Sequence, residues 1–86
     1  MDARSGQIAR ELLDHVSNFV YLRGSVLADI VSAAQVLRER NPNVEAPLLD
    51  RFIREPDAFR RDQDASGDEP KFIDLTDEVR ATFLGP

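Results

Sequence analysis

Cysteine is absent from this 86-residue chain. Its absence excludes disulfide frameworks, thiolate metal sites and cysteine nucleophiles. Long apolar runs are also missing, since no stretch approaches the roughly 18 residues that a membrane-spanning helix needs. Nothing near the N-terminus has the pattern of a signal peptide. We therefore expect a soluble, cytoplasmic protein that does not insert into membranes.

The chain is also short of basic residues, with 11 Lys and Arg against 16 Asp and Glu and a net charge of -5. Because the basic residues are scattered, they form no concentrated positive patch for phosphates, and nucleic acid is not an expected ligand. A chain of this length forms one small domain at most and buries only about 60–65% of its unfolded surface. Its stability as a monomer should be marginal, so we expect a protein partner.

Catalytic motifs are missing too. The sequence has no Gly-rich phosphate loop, no H-E-x-x-H pair and no nucleophile elbow. His15 is the only histidine, and no serine or carboxylate is placed by the sequence to orient it, so we expect a partly buried packing role. We assign no catalytic and no cofactor-binding residue, and the chain is not expected to be an enzyme.

The first half of the sequence has a strong helical pattern. Apolar residues fall on one face of a helix over residues 7–20, and again over residues 25–40. The two faces join in one heptad seam with spacings of three and four, broken only by Arg23. We predict that the seam buries the core or a dimer interface through Leu12, Val16, Phe19, Val26, Ile30 and Leu37.

Residues 21–25 leave two architectures open. A helix that runs unbroken from residue 7 to residue 40 would be roughly 50 Å long, which suits a coiled-coil or bundle dimer with Arg23 setting the register. If Gly24 ends the first helix and Ser25 caps the second, the same residues form an antiparallel hairpin. Because a glycine inside a helix costs only about 1 kcal/mol, Gly24 alone does not decide between them.

A third short helix is expected after Asn41-Pro42-Asn43, because proline disfavours helix in the residue before it and asparagine favours turns. Pro47 suits the first turn of this helix, and Pro56 should end or kink it. The predicted organisation is a helical interaction module over residues 1–61, an acidic linker over 62–70 and a docking tail over 71–86.

Residues 21–54 resemble a known family. The segment V-L-R-E-R-N-P-N-V over residues 36–44, followed by Leu49, Phe52 and Ile53, is similar to the dimerisation/docking domains of cAMP-dependent kinase regulatory subunits. The resemblance implies that two short helices pair with a second copy as a four-helix bundle, whose groove receives an amphipathic helix from a partner. The same residues also fit a generic three-helix module with an Asn-Pro turn.

The acidic linker contains a calcium-like pattern. Asp62, Asp64, Ser66 and Gly67 match the opening of an EF-hand loop, in which alternate oxygen ligands converge on calcium. The last position of that loop should hold a bidentate glutamate and holds Ile73 instead. Two interpretations follow: a calcium site at Asp62, Asp64 and Ser66, or a solvated linker whose composition reflects turn chemistry.

The tail carries F-I-D-L-T-D-E over residues 72–78, which resembles a SUMO-interacting motif. That resemblance implies an extended strand added to the edge of a partner's sheet. Alternatively, Asp74 or Thr76 caps a short helix whose apolar face docks on the module or on a partner. Under either interpretation the tail is the predicted partner-binding segment, through Phe72, Ile73, Leu75, Val79 and Phe83.

Together these patterns predict an all-α fold with a helical hairpin or long helix, a third short helix and a short C-terminal tail helix, in a dimeric bundle. The favoured function is a non-catalytic docking or scaffold subunit that forms a homodimer. Two alternatives stay open: a small acidic inhibitor of antitoxin or immunity type, whose tail folds on its partner, and a calcium-responsive module.

Overall fold

A computed structural model of the chain describes residues 3–22, 26–60 and 67–85. These residues form four α-helices, numbered here in chain order: α1 Ala3–Ser17, α2 Leu27–Arg40, α3 Pro47–Arg54 and α4 Phe72–Val79. A π-helical turn extends α1 over Asn18–Leu22 and α4 over Arg80–Leu84, and a 3-10 turn over Pro56–Ala58 follows α3. The prediction of an all-α fold is confirmed.

The first two helices form an antiparallel hairpin. Asn41, which follows α2, donates a hydrogen bond from its side-chain amide to Ser5 Oγ near the start of α1, at 3.1 Å. The end of one helix therefore lies beside the start of the other, which a single continuous helix cannot achieve. Residues 23–25 lie outside the described residues. The N-cap position of α2 is Val26, one residue after the predicted cap Ser25.

The turn after α2 and the start of α3 follow the predicted proline chemistry. The helix α2 ends at Arg40, and α3 begins with Pro47, where a missing amide hydrogen breaks no helical bond. The helix α3 ends at Arg54, and Pro56 opens the 3-10 turn instead of continuing α3. These boundaries direct Leu49 and Phe52 into the core, where both are 0% exposed.

The C-terminal helix α4 belongs to the same core as the helices before it. It packs against α1 and α3. Spacings of three and four residues place its apolar side chains on one helix face, and the buried ones are Phe72, Leu75, Val79 and, in the π turn, Phe83. The predicted tail helix is therefore present and is docked on the module.

A single backbone bridge positions the start of α4. The Arg60 amide donates to the Pro70 carbonyl at 2.9 Å, and the Phe72 amide donates to the Arg60 carbonyl at 3.0 Å. This bridge between Arg60 and Lys71 is the only pairing of extended backbone within the described ranges. The N-cap position of α4 is Lys71, so the helix begins before Asp74 and Thr76, the two predicted caps.

Four phenylalanine rings form the centre of the core. The ring centroid of Phe72 lies 5.6 Å from that of Phe19, 5.9 Å from that of Phe52 and 6.0 Å from that of Phe59. The rings come from both sides of the acidic linker, so one core joins the two sides. The radius of gyration of the Cα atoms, 12.0 Å, matches the roughly 12 Å expected for a compact chain of this length.

None of the helices in the described ranges combines the length and the apolar content that crossing a bilayer requires.

Candidate functional site

A clamp centred on Arg38 holds the connection between α2 and α3. Its Nε and Nη2 donate to the two carboxylate oxygens of Asp50, each at 2.7 Å. Its Nη1 donates to the backbone carbonyls of Asn41 at 2.9 Å and Val44 at 2.7 Å. The hydrogen bond and the positive charge of Arg38 lower the pKa of Asp50 below its usual value. The same hydrogen bond raises the pKa of Arg38.

The clamp extends to the other two helices. Glu78 on α4 accepts hydrogen bonds from the backbone amides of Leu48 at 2.9 Å and Leu49 at 3.0 Å. These amides belong to the first turn of α3, where helical amides have no partner within the helix. The side chain of Asn41, after α2, donates a hydrogen bond to Ser5 of α1. Ser5 is 1% exposed. Arg38 and Asp50 bind each other, and Glu78 binds backbone amides. The clamp is therefore suited to holding the helices in position.

A groove runs between α1 with its π turn and α4, and we call it the α1–α4 groove. It has a volume of about 180 Å³. Its floor contains the buried side chains of Val16, Val20 and Phe72. Its walls carry two exposed apolar side chains, Tyr21 at 68% and Ile73 at 44%. The remaining lining residues are Leu13, Ser17, Thr76, Asp77 and Arg80.

Local helix geometry explains why these two side chains are exposed. Tyr21 directly follows the buried Val20, and Ile73 directly follows the buried Phe72. Successive residues of a helix project about 100° apart, so the residue next to a core position points along the edge of the core. Since α1 and α4 lie side by side, both edges open into the same groove.

Two charged side chains, Asp77 and Arg80, line the groove. Asp74 and Asp77 are exposed and lie one and four residues after Ile73. Arg80 is the one basic lining residue and lies two helical turns from Ile73. Arg80 Nη1 is 3.6 Å from Asp77 Oδ1. The two charged lining residues therefore pair with each other, and Asp74 is not among the residues that line the groove.

Another groove, with a volume of about 320 Å³, lies between α1 and α2. Val36 lines it and is 44% exposed. His15 is half-buried there, with Glu11 and Asp29 also among the lining residues. In the described part of the chain, no three His, Cys, Asp or Glu side chains are grouped in a way that could hold a metal ion.

The structure places most of the predicted seam inside a single chain. Leu12, Val16, Ile30 and Leu37 are between 0% and 3% exposed, and Phe19 is half-buried. Val26 departs from the pattern, with 60% exposure. It occupies the N-cap position of α2 with an extended backbone, so the helical spacing that defined the seam does not direct its side chain.

The predicted partner-binding tail is divided between core and surface. Phe72, Leu75, Val79 and Phe83 are at most 4% exposed, whereas Ile73 is 44% exposed. Only Ile73 is therefore available to a partner while α4 stays folded. Residues 72–79 are helical, so adding them as a strand to another sheet would require α4 to unfold and Phe72 and Leu75 to leave the core.

The predicted calcium ligands Asp62, Asp64 and Ser66 lie outside the described residues, and the calcium site stays a prediction. Gly67, which follows them, has a φ of 62°, a left-handed conformation that favours glycine. This conformation serves an ordinary turn as well as an ion-binding loop.

Sequence reasoning missed the clamp and the α1–α4 groove. Glu78 caps a helix start about 30 residues earlier in the chain, and no local pattern relates the two. Tyr21 did carry a weak signal, since it is an aromatic residue outside the apolar arc of its helix. Comparisons of the chain with protein-family models, curated proteins and solved structures found no match. The interpretation of the groove therefore depends on its residues and geometry.

Proposed function

We propose that this chain is a non-catalytic protein-interaction module that binds a partner protein through the α1–α4 groove. The observation that carries the proposal is the presence of two exposed apolar side chains, Tyr21 and Ile73, on opposite walls of one groove with an apolar floor. Single exposed apolar residues are common on protein surfaces. A concave group of them that includes an aromatic residue is typical of interaction sites.

The surroundings of the groove support this role because they hold its walls in place. Phe72, at the base of the α4 wall, contacts three other phenylalanine rings. Glu78 and Arg38 connect α4, α3 and α2 through hydrogen bonds. A binding surface that is already ordered loses little conformational entropy when a partner binds. This suits a docking or scaffold subunit.

The homodimer expected from the seam stays a prediction. Four seam residues are already buried within one chain, so a dimer would have to use another surface. Sedimentation equilibrium over micromolar to millimolar concentrations decides this point. The acidic-inhibitor alternative has less support, because it expects a tail that folds only on its partner, whereas α4 packs in the core of the chain alone.

The proposal can be tested by photocrosslinking in the native cell. Benzoylphenylalanine at position 17, which lines the groove, should form an adduct with a specific protein. Ile73→Asp should abolish that adduct by placing a charge on the apolar wall. Val36→Asp is the matched control, because Val36 is equally exposed at 44% but lies in the other groove. Adducts that persist in the Ile73→Asp background would contradict the proposal.

A further inference from the structure

We draw no further inference here: the strongest candidate, the α1–α4 groove with its exposed Tyr21 and Ile73 side chains, belongs to the site already described, and nothing in the described residues shows what covers it, because the charged lining residues Asp77 and Arg80 pair with each other.

Discussion

Replacing Phe72 with alanine should destabilise the entire chain and not only its C-terminal segment. The Phe72 side chain is 2% exposed, and its ring centroid lies within 6.0 Å of three other rings. A Phe→Ala change in a core costs about 3–5 kcal/mol, from lost burial and from the cavity left behind. A chain of 86 residues is stable by roughly 4–13 kcal/mol. The variant should therefore lose between about a quarter and all of its free energy of unfolding.

Urea denaturation at 25 °C, followed by far-UV circular dichroism and by Tyr21 fluorescence, measures this loss. With a slope of about 1 kcal/mol per molar urea, the midpoint should fall by about 3–5 M. Both signals should shift together, because Tyr21 lies on the π turn that extends α1, and α1 shares one core with the other helices. Ile73→Ala is the matched control, since Ile73 neighbours Phe72 but is 44% exposed, and it should cost less than about 1 kcal/mol.

Two results would refute this reasoning. The first is a loss for Phe72→Ala that is no larger than the loss for Ile73→Ala, since the ring would then contribute little to the core. The second is a pair of separate transitions in which helical signal survives the loss of α4. That result would mean that the tail folds independently of the module.

Further predictions concern the clamp and the acidic linker. Glu78→Gln should cost about 1–2 kcal/mol in urea denaturation, because it removes the negative charge and replaces one of the two accepting oxygens at the first turn of α3 with an NH2 donor. Arg38→Lys should cost about 1–2 kcal/mol in the same assay, because lysine cannot contact both carboxylate oxygens and two carbonyls at once. The pKa of Asp50 is lowered by Arg38, so its stabilising contribution should be complete above about pH 4 and should be lost as the pH falls further. Thermal melts at several pH values should show a weaker acid dependence in Asp50→Asn. If the linker binds calcium, titration calorimetry should show heat that is lost when alanine replaces Asp62, Asp64 and Ser66.

Each of these predictions has an outcome that contradicts it. Wild-type stability in Glu78→Gln would show that water satisfies the first amides of α3 equally well. Wild-type stability in Arg38→Lys would show that a single ion pair suffices at this position. An unchanged acid dependence in Asp50→Asn would assign that dependence to other carboxylates. The absence of heat at millimolar calcium would end the calcium hypothesis.

The helices themselves were largely predictable from the sequence, because they depend on local chemistry. Apolar residues at spacings of three and four define the inner faces of α1 and α2, whatever the rest of the chain does. Proline acts through its own ring and its missing amide hydrogen, so Pro47 and Pro56 indicate where α3 begins and ends. Composition likewise determined the absence of disulfides, since the chain has no cysteine.

The choice between a hairpin and a long helix required the tertiary structure. A glycine inside a helix costs only about 1 kcal/mol, which is less than the packing of one buried side chain contributes. Tertiary packing of α1 against α2 therefore outweighs any local preference at Gly24. The same holds for residues 72–78, whose short apolar pattern fits a strand and a helix alike. Burial of Phe72 and Leu75 beside α1 and α3 selects the helix.

The α1–α4 groove and the clamp were decided by tertiary structure alone. Tyr21 and Ile73 are 52 positions apart in the sequence, and no sequence pattern pairs Tyr21 with Ile73, although Ile73 is a predicted partner-binding residue. Arg38, Asp50 and Glu78 likewise show no sequence pattern that pairs them. The sequence by itself determined which segments become helices and which face of each is apolar, because those properties arise within a few residues. How the helices pack into one core decides which faces meet and which apolar side chains stay exposed beside the core. That packing depends on the whole chain.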